Sequence, residues 1–350
     1  MTLEVIYVTR HGFRSNWLVD PSNGTYTSML RSPTGKPADP ALTAHGVEQA
    51  RELGERLMTV DPPIERVYSS LYYRCLQTVE PFVRKATATA IATASEGRSL
   101  PPVRGETGIG EWYGAAEFEH PVPETPEGLS SHFPAMLDPA YTPAVVPGRK
   151  GEGIGELHDR VAATMRALVA ECDRDGVRAI LLCSHAATII ALGRVLTGNM
   201  PENIGVEDFG AFTCGLSVYR RRKESGLGGS GGVAGAGSTT GGHHSEDGSS
   251  VNDRANAGNA DPQIGDTDWR GGRGVAGGWD CELDSDCSHL SQGPERGWRF
   301  SGDESFKGTG GVGGLLSITD AGLSMGVVVE GRGKGGSKKD GGDGGAGPRL

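Results

Sequence analysis

Histidine and arginine side chains follow three separate apolar runs of this sequence, and they are the residue types that handle phosphate groups. The first run ends in Arg10 and His11, with Arg14 close behind. Arg74 follows a second apolar run, and His185 follows a third. Guanidinium groups bind phosphoryl oxygens in a bidentate manner, and an imidazole can attack phosphorus. If the three runs end at one edge of a sheet, these side chains suit phosphoryl transfer.

Strands and helices are predicted to alternate through residues 1–222, and they would position these side chains. A capping threonine and helically spaced apolar residues predict a helix that begins at Thr43 and stops before Pro62-Pro63. Further helices are predicted at 74–90, 155–174 and 186–196, and strands at 3–8, 64–68, 102–104, 177–183 and 214–219, the last at a sheet edge. The alternation predicts an α/β three-layer sandwich, a mostly parallel sheet with helices on both faces. Ligands bind such sheets at the carboxyl ends of the strands.

Glycine divides the chain into two parts of different character. Of its 57 glycines, 21 lie in residues 1–222 and the other 36 lie in the last 128 of the 350 residues. A segment so rich in glycine buries too little apolar surface to offset its chain entropy. We therefore predict one folded domain at 1–222 with a proline-rich insertion at 115–153, a Gly/Ser-rich linker at 223–267 and a disordered tail at 308–350.

Residues 268–307 differ from the rest of the tail because aromatic side chains cluster there. The cluster comprises Trp269, Trp279, Trp298, Phe300 and Phe306. We expect this segment to dock on the folded domain, with Trp298-Arg299-Phe300 as an added edge strand.

Charge and cysteine usage restrict the function classes further. A net charge of −10 argues against direct binding of nucleic acid through a basic surface. The six scattered cysteines suit buried thiols in a reducing compartment. Apolar runs are too short to span a bilayer, and Leu3 already begins a strand, so no membrane contact and no leader are expected. These features predict a cytoplasmic or nuclear protein.

The polar stretch 15–40 is predicted to be a long surface loop, and loops of this length often carry function. Asn16 is a candidate for contact with substrate. Trp17 and Tyr26 are candidates for either substrate contact or packing.

Four motifs in this order resemble those of the histidine phosphatase, or phosphoglycerate mutase-like, superfamily. Leu71 stands where proline is usual in the third motif, and the resemblance covers roughly residues 1–220. The motifs are Thr9-Arg10-His11-Gly12, Leu42-Thr43-Ala44-His45-Gly46-Val47-Glu48-Gln49-Ala50, Ser69-Ser70-Leu71-Tyr72-Tyr73-Arg74-Cys75-Leu76-Gln77-Thr78 and Ser184-His185.

The resemblance implies a mechanism that uses neither metal nor cofactor. His11 would attack the phosphate and become phosphohistidine, while Arg10, Arg74 and His185 hold the phosphoryl oxygens. An acid must protonate the leaving oxygen and later activate water. Glu111 is favoured for that role and Glu106 is the alternative.

Two finer likenesses lie within the superfamily. Arg14 completes an Arg-His-Gly-x-Arg motif, and Glu111-Trp112 is similar to a segment of the tyrosine-phosphatase branch typified by the suppressors of T-cell receptor signalling. The stretch from Arg10 to Trp17 also resembles fungal phosphoglycerate mutase family proteins, among them the tau subunit of the RNA polymerase III initiation factor. Many relatives carry glutamate where this chain has Phe13.

These likenesses leave three functions open. The leading prediction is a phosphomonoester hydrolase that acts on a phosphorylated small molecule or a phosphopeptide. The first alternative is a weakly active or non-catalytic subunit whose partners are proteins of a nuclear transcription-factor assembly. The second, phosphoglycerate mutase, is disfavoured because the Gly-Trp-x-Asp segment expected after the first motif is absent.

Overall fold

A six-stranded sheet forms the centre of the protein in a computed structural model that describes residues 2–92, 100–223 and 268–301. The sheet strands are β1 (Val5–Arg10), β4 (Arg66–Ser69), β5 (Arg104–Gly105), β6 (Ala179–Ser184), β7 (Leu216–Arg221) and β8 (Trp279–Asp286). Their order across the sheet is β5-β4-β6-β1-β7-β8. β1, β6, β4 and β5 run parallel, whereas β7 and β8 are antiparallel to their neighbours.

Helices cover both faces of this sheet, which confirms the predicted three-layer α/β sandwich. α1 (Ala44–Leu57) and α2 (Tyr73–Ala92) pack on one face, and α4 (Ile154–Asp175) and α5 (Ala186–Thr197) pack on the other. Alternate residues of the buried strands face opposite sides, so Val5 and Tyr7 join one apolar core while Ile6 and Val8 join the other. A bilayer-spanning helix is not found among the described residues, and α2 and α4 both carry several charged side chains.

The register of the parallel strands brings their carboxyl ends to one level. Arg10 at the end of β1 lies opposite Ser184 at the end of β6, and Ser69 at the end of β4 lies opposite Cys183. The residues that follow, His11, Ser70 and His185, therefore emerge side by side.

The predicted loop at 15–40 contains regular structure, and this part of the prediction was wrong. β2 (Trp17–Asp20) and β3 (Thr25–Ser28) form a separate antiparallel hairpin. A tight turn joins the two strands, and Asp20 accepts hydrogen bonds there from Ser22 and Asn23. Trp17 is buried, which favours packing over substrate contact for this side chain.

Several other boundaries differ from the prediction, and each of the five predicted strands begins two residues later than expected, at Val5, Arg66, Arg104, Ala179 and Leu216. The strand expected at 64–68 is Arg66–Ser69, although Glu65 N already donates to Ala179 O of the neighbouring strand at 2.9 Å. In the stretch 115–153 the regular element is a single-turn helix, α3 (Pro126–Leu129), which Thr125 caps.

β7 is not the edge of the sheet, contrary to the sequence-based expectation. β8 pairs with it on the outer side, so the added edge strand is Trp279–Asp286 rather than Trp298-Arg299-Phe300. Trp298 and Phe300 instead have no regular structure and pack their rings into the core against Trp112. The predicted linker beyond Lys223, the residue Phe306 and the predicted disordered tail lie outside the described residues.

Candidate active site

His11 directly follows β1 and is held in one tautomer by the backbone. Its main-chain N–H donates to Ser184 O at 3.1 Å, and its ring Nδ1 lies 2.9 Å from Gly12 O. A carbonyl oxygen can only accept, so Nδ1 carries the proton and the lone pair resides on Nε2. The buried ring therefore presents a nucleophilic nitrogen.

The start of α1 holds the loop that carries His11. Thr43 caps the helix through Gly46 N, and both its N–H and its hydroxyl donate to Phe13 O. Gln49 accepts from Phe13 N at 2.9 Å. A Cβ at Gly46 would collide with Phe13 O, so only glycine permits this contact. The second sequence motif thus has a structural reason, which is to fix the loop after β1.

Arg74 lies at the centre of a buried network of charges. Its Nη2 donates to Glu111 Oε2 at 2.9 Å, and its Nη1 donates to Ala38 O at 3.1 Å and lies 3.5 Å from Asp39 Oδ1. The guanidinium also lies over the ring of Tyr72, 4.4 Å from the ring centroid. Each of these contacts restricts its orientation.

His185 lies beside His11, and their ring centroids are 5.4 Å apart. Its Nε2 is 2.8 Å from Ser70 Oγ, and its Nδ1 is 3.2 Å from Glu111 Oε2. The carboxylate of Glu111 therefore contacts both Arg74 and His185. Two histidines, one acid and one guanidinium meet in a single buried space.

Arg10 and Arg14 bring two more buried guanidiniums to this space. Arg10 Nη1 donates to Ala211 O at 2.6 Å and to Arg296 O, whereas Arg14 Nη1 donates to Ser15 O at 3.1 Å. The Nε atoms of Arg10 and Arg74 are buried without a hydrogen-bond partner in the described part of the chain. Buried donors of this kind normally have an acceptor, and an anion in the site would supply one.

The electrostatics of the site keep His11 neutral and Glu111 ionised. Burial, reinforced by Arg74 and Arg10, holds the pKa of His11 well below its ordinary value. Burial alone would raise the pKa of Glu111, but His185 and Arg74 outweigh it and hold that pKa well below its usual range. Burial and the neighbouring Arg74 lower the pKa of Arg14 to about 9. Crowded positive charge of this kind favours an anionic ligand.

His11, Glu111 and His185 also have the residue types of a metal site, and their ligand atoms lie within 4.8 Å of one another. A cation there would be repelled by Arg74 and by Arg10, and the carboxylate is already paired with Arg74. The donor set therefore fits an anion better than a metal ion.

Glu106, the alternative acid, has a different environment from Glu111. Its buried carboxylate accepts hydrogen bonds from Tyr141 OH at 2.6 Å, Ala144 N at 2.8 Å and Gly108 N at 2.7 Å. These bonds tie the segment 106–110 to the stretch 141–144. Among the described contacts Glu111, not Glu106, touches His185.

Asn16 and Asp39 each contact an arginine of the candidate site or its surroundings. Asn16 Oδ1 accepts from Arg296 Nη1 at 3.3 Å, so the candidate substrate contact lies against a residue from the far end of the chain. Asp39 and Arg296 were both missed from sequence. Asp39 lies in a Pro/Ser-rich stretch without periodicity, and its contact with Arg74 spans 35 residues.

An apolar cleft of about 250 Å³ opens beside Glu111. Prolines and valines of the stretch 115–153 form much of its wall, together with residues of the two segments that carry Arg74 and Glu111. Its apolar lining includes Leu71, Tyr113, Pro121, Val122, Val146 and Pro147. The leaving group of a substrate bound with its ester oxygen near Glu111 would therefore contact apolar side chains.

Comparisons with known proteins identify the family of this chain. A family model described as histidine phosphatase superfamily (branch 1) matches residues 6–226. The transcription factor tau 55 kDa subunit of Saccharomyces cerevisiae is 34% identical over 232 residues, which cover 64% of this chain and 49% of that protein. The ecdysteroid-phosphate phosphatase of Drosophila melanogaster is 27% identical over 224 residues, which cover 57% of this chain and 27% of that protein.

Among solved structures, the ecdysone phosphate phosphatase from Bombix mori in complex with tungstate is similar, with 21% identity and a TM-score of 0.47. The similar region covers 62% of this chain and 89% of that one. The chain spans about half or less of the length of the two curated relatives named above. The family match covers well over half of the chain, and the chain belongs to the histidine phosphatase superfamily, branch 1.

Proposed function

We propose that this protein hydrolyses phosphomonoesters through a phosphohistidine intermediate on His11. The observation that supports this most is the pair of buried guanidinium N–H groups, on Arg10 and Arg74, that lack an acceptor within the described residues, on two side chains whose charges act on His11. A phosphoryl group in this space satisfies both donors. Family membership supports the same reaction class.

The proposed reaction has two balanced steps. Nε2 of His11 attacks phosphorus, a P–N bond forms, and the P–O bond to the leaving group breaks as its oxygen takes a proton from Glu111. Water then attacks phosphorus and gives a proton to the Glu111 carboxylate, a new P–O bond forms, and the P–N bond breaks, which returns the electron pair to Nε2 of His11 and releases phosphate. Arg10, Arg14, Arg74 and His185 stabilise the charge that develops on the phosphoryl oxygens in both steps.

Glu111 must be protonated before the first step, although it is ionised in the free protein. Arg74 and His185 hold it in the charged form. A bound phosphoryl dianion draws hydrogen bonds from both groups and places negative charge next to the carboxylate. Both effects raise the pKa of Glu111, so this carboxylate takes up a proton when the substrate binds.

The apolar cleft beside Glu111 supports a substrate whose leaving group is apolar, such as a phenol or a hydrophobic alcohol. Burial of such a group against Tyr113 and Val122 stabilises the bound state by about 25 cal/mol per Å². A phosphorylated small molecule or a phosphotyrosine side chain both meet this description. The fruit-fly relative is named as a phosphatase of a steroid phosphate, which supports the small-molecule class.

The test is phosphate release from phenyl phosphate by the full chain. The wild-type protein is expected to turn over, and His11→Ala is expected to abolish release while still binding tungstate. A quench into alkaline denaturant during turnover should trap a base-stable, acid-labile phosphoryl group on the wild-type chain. Turnover that persists in His11→Ala would contradict the mechanism.

A second function is favoured by one specific finding, the 34% identity to a yeast transcription factor subunit. In that case the chain is a phosphate-binding subunit of a nuclear assembly, and it binds phosphorylated protein partners with negligible turnover. Tungstate binding without phosphate release from any aryl phosphate, together with co-purification with a large nuclear complex, would support it. Ready turnover by the isolated chain would favour the hydrolase.

A further inference from the structure

Arg296 reaches the candidate active site from a segment far along the chain. Phe300 and Trp298 anchor this segment in the core, and Thr213 donates to Glu295 O at 3.1 Å. The backbone of Arg296 is left-handed, with φ of 49°, a conformation that is strained for residues other than glycine. Its carbonyl accepts a hydrogen bond from Arg10. The surrounding contacts therefore impose this conformation, and they join the segment to the phosphate-binding side.

The side chain of Arg296 lies along the loop that follows His11. Its guanidinium lies over the ring of Phe13, 4.0 Å from the ring centroid, and its Nη1 lies 3.3 Å from Asn16 Oδ1. Both contacts orient the guanidinium without an ion pair, and the charge of neighbouring Glu295 acts on it only from a distance, because that carboxylate contacts His45 Nε2. Within 2–92, 100–223 and 268–301, no Asp or Glu oxygen lies within 4.0 Å of it.

This arginine differs from its neighbour Arg299. Arg299 is exposed and pairs with exposed Glu207 at 2.8 Å, which is an ordinary surface ion pair of small energetic value. Arg296 is half-buried, and its burial lowers its pKa. Its positive charge also opposes the charges of Arg10 and Arg14, whose pKa values it lowers. An anion between these groups removes the repulsion.

We propose that Arg296 is a specificity residue that binds a second anionic group of the substrate, a carboxylate or phosphate close to the phosphoryl group that the site holds. This rests on the phosphate site of the proposed function and adds a feature of the substrate. The Asn16 amide and the Phe13 ring act as positioning groups that hold the guanidinium for this contact. A charge-assisted hydrogen bond of this kind is shorter and stronger than one between neutral groups.

Substitutions can separate the role of Arg296 from that of Arg10. The bond to Arg10 uses the backbone carbonyl of Arg296, so Arg296→Gln leaves it in place while it removes the guanidinium charge. Arg296→Lys keeps the charge but not the fork geometry. Arg299→Gln removes an equal charge three residues away and serves as the matched control.

The experiment measures dissociation constants by calorimetry for phenylphosphonate and for its three carboxyphenyl isomers. The wild-type chain is expected to bind at least one isomer about tenfold or more tightly than phenylphosphonate. Arg296→Gln should lose that preference and bind phenylphosphonate within about twofold of wild type, whereas Arg296→Lys should keep part of the preference and Arg299→Gln all of it.

Two results would overturn the proposal. One is a wild-type chain that prefers no isomer. The other is an Arg296→Gln variant that weakens every phosphonate by the same factor, since that shows an effect through Arg10 or the fold. Phosphonates report binding without turnover. A chain that keeps the preference but releases no phosphate from phenyl phosphate overturns the hydrolase and not this inference.

Discussion

Glu111 Oε2 accepts a hydrogen bond of 2.9 Å from Arg74 Nη2, and both side chains are almost completely enclosed. The same oxygen lies 3.2 Å from His185 Nδ1. One carboxylate therefore contacts two of the groups proposed to hold the phosphoryl oxygens. Its protonation state and the binding of phosphate are coupled, so changes to this carboxylate should alter both catalysis and proton uptake.

Glu111→Gln should slow phosphate release according to the leaving group. The amide keeps the shape of the side chain but cannot deliver a proton, so release from phenyl phosphate should fall about 10²–10⁴-fold. Release from 4-nitrophenyl phosphate should fall much less, because nitrophenolate leaves without a proton. Rates with both substrates check this. Glu106→Gln should instead lower the melting temperature with no leaving-group dependence, and the reverse pattern would assign the acid to Glu106.

Tungstate binding at pH 7 should take up protons. The pKa values of His11 and Glu111 lie below their ordinary values in the free protein, so at pH 7 the His11 imidazole is neutral and the Glu111 carboxylate is ionised. A dianion beside them raises both pKa values, and the complex therefore binds more protons than the free protein. Calorimetry in buffers of different ionisation enthalpy measures this uptake. It should shrink in Glu111→Gln, and an uptake of zero in wild type would contradict a neutral His11 beside an ionised Glu111.

Gly46→Ala should impair the loop that carries His11. The added methyl group collides with Phe13 O, and relief of the collision displaces the loop, which typically costs about 1–3 kcal/mol of stability. We expect a fall in kcat for phenyl phosphate together with a lower urea midpoint. Gly155→Ala is the control, because a Cβ at this exposed position of α4 meets nothing within 4 Å. Equal behaviour of the two variants would contradict the proposed role of the contact.

Trp279→Ala should destabilise the whole domain. The indole is fully buried and donates to Val275 O at 3.1 Å, so its removal from the core should cost about 3–5 kcal/mol. Urea denaturation measures the loss. Met29→Ala, at a side chain that is 95% exposed, should leave stability nearly unchanged. Deletion of 268–307 should lower the melting temperature further, and an unchanged melting temperature would contradict packing of this segment on the domain.

Much of the fold could be predicted because its signals are local. Thr43 as a cap, the apolar run of β6 and the helical spacing along α4 each depend on residues close in sequence. β8 had such a signal too, since Trp279, Cys281 and Leu283 alternate with acidic residues. The glycine-rich composition around this segment favoured disorder instead, so the strand was not predicted. Its partner, β7, lies more than 50 residues earlier, so the pairing could not be read from spacing.

In the candidate site too, some residues could be predicted from local sequence and others could not. Arg10, His11, Arg74 and His185 were predicted from motifs at the ends of strands, and the structure brings these four together with Arg14 and Glu111. The predicted Asn16 lies at the edge of the group. The contact partners Asp39, Ser70 and Arg296 were not predicted, because their positions depend on how distant segments pack.

The sequence by itself therefore determined the α/β alternation and the residue types that meet at the strand ends, because periodicity, capping and motif order are properties of neighbouring residues. Only the tertiary structure decided that β8 becomes the sheet edge and that Arg296 joins Arg10 beside His11. Those contacts of Arg10 join segments more than 200 residues apart. They are set by burial of aromatic side chains such as Trp298 and Phe300, which is a property of the packed chain as a whole.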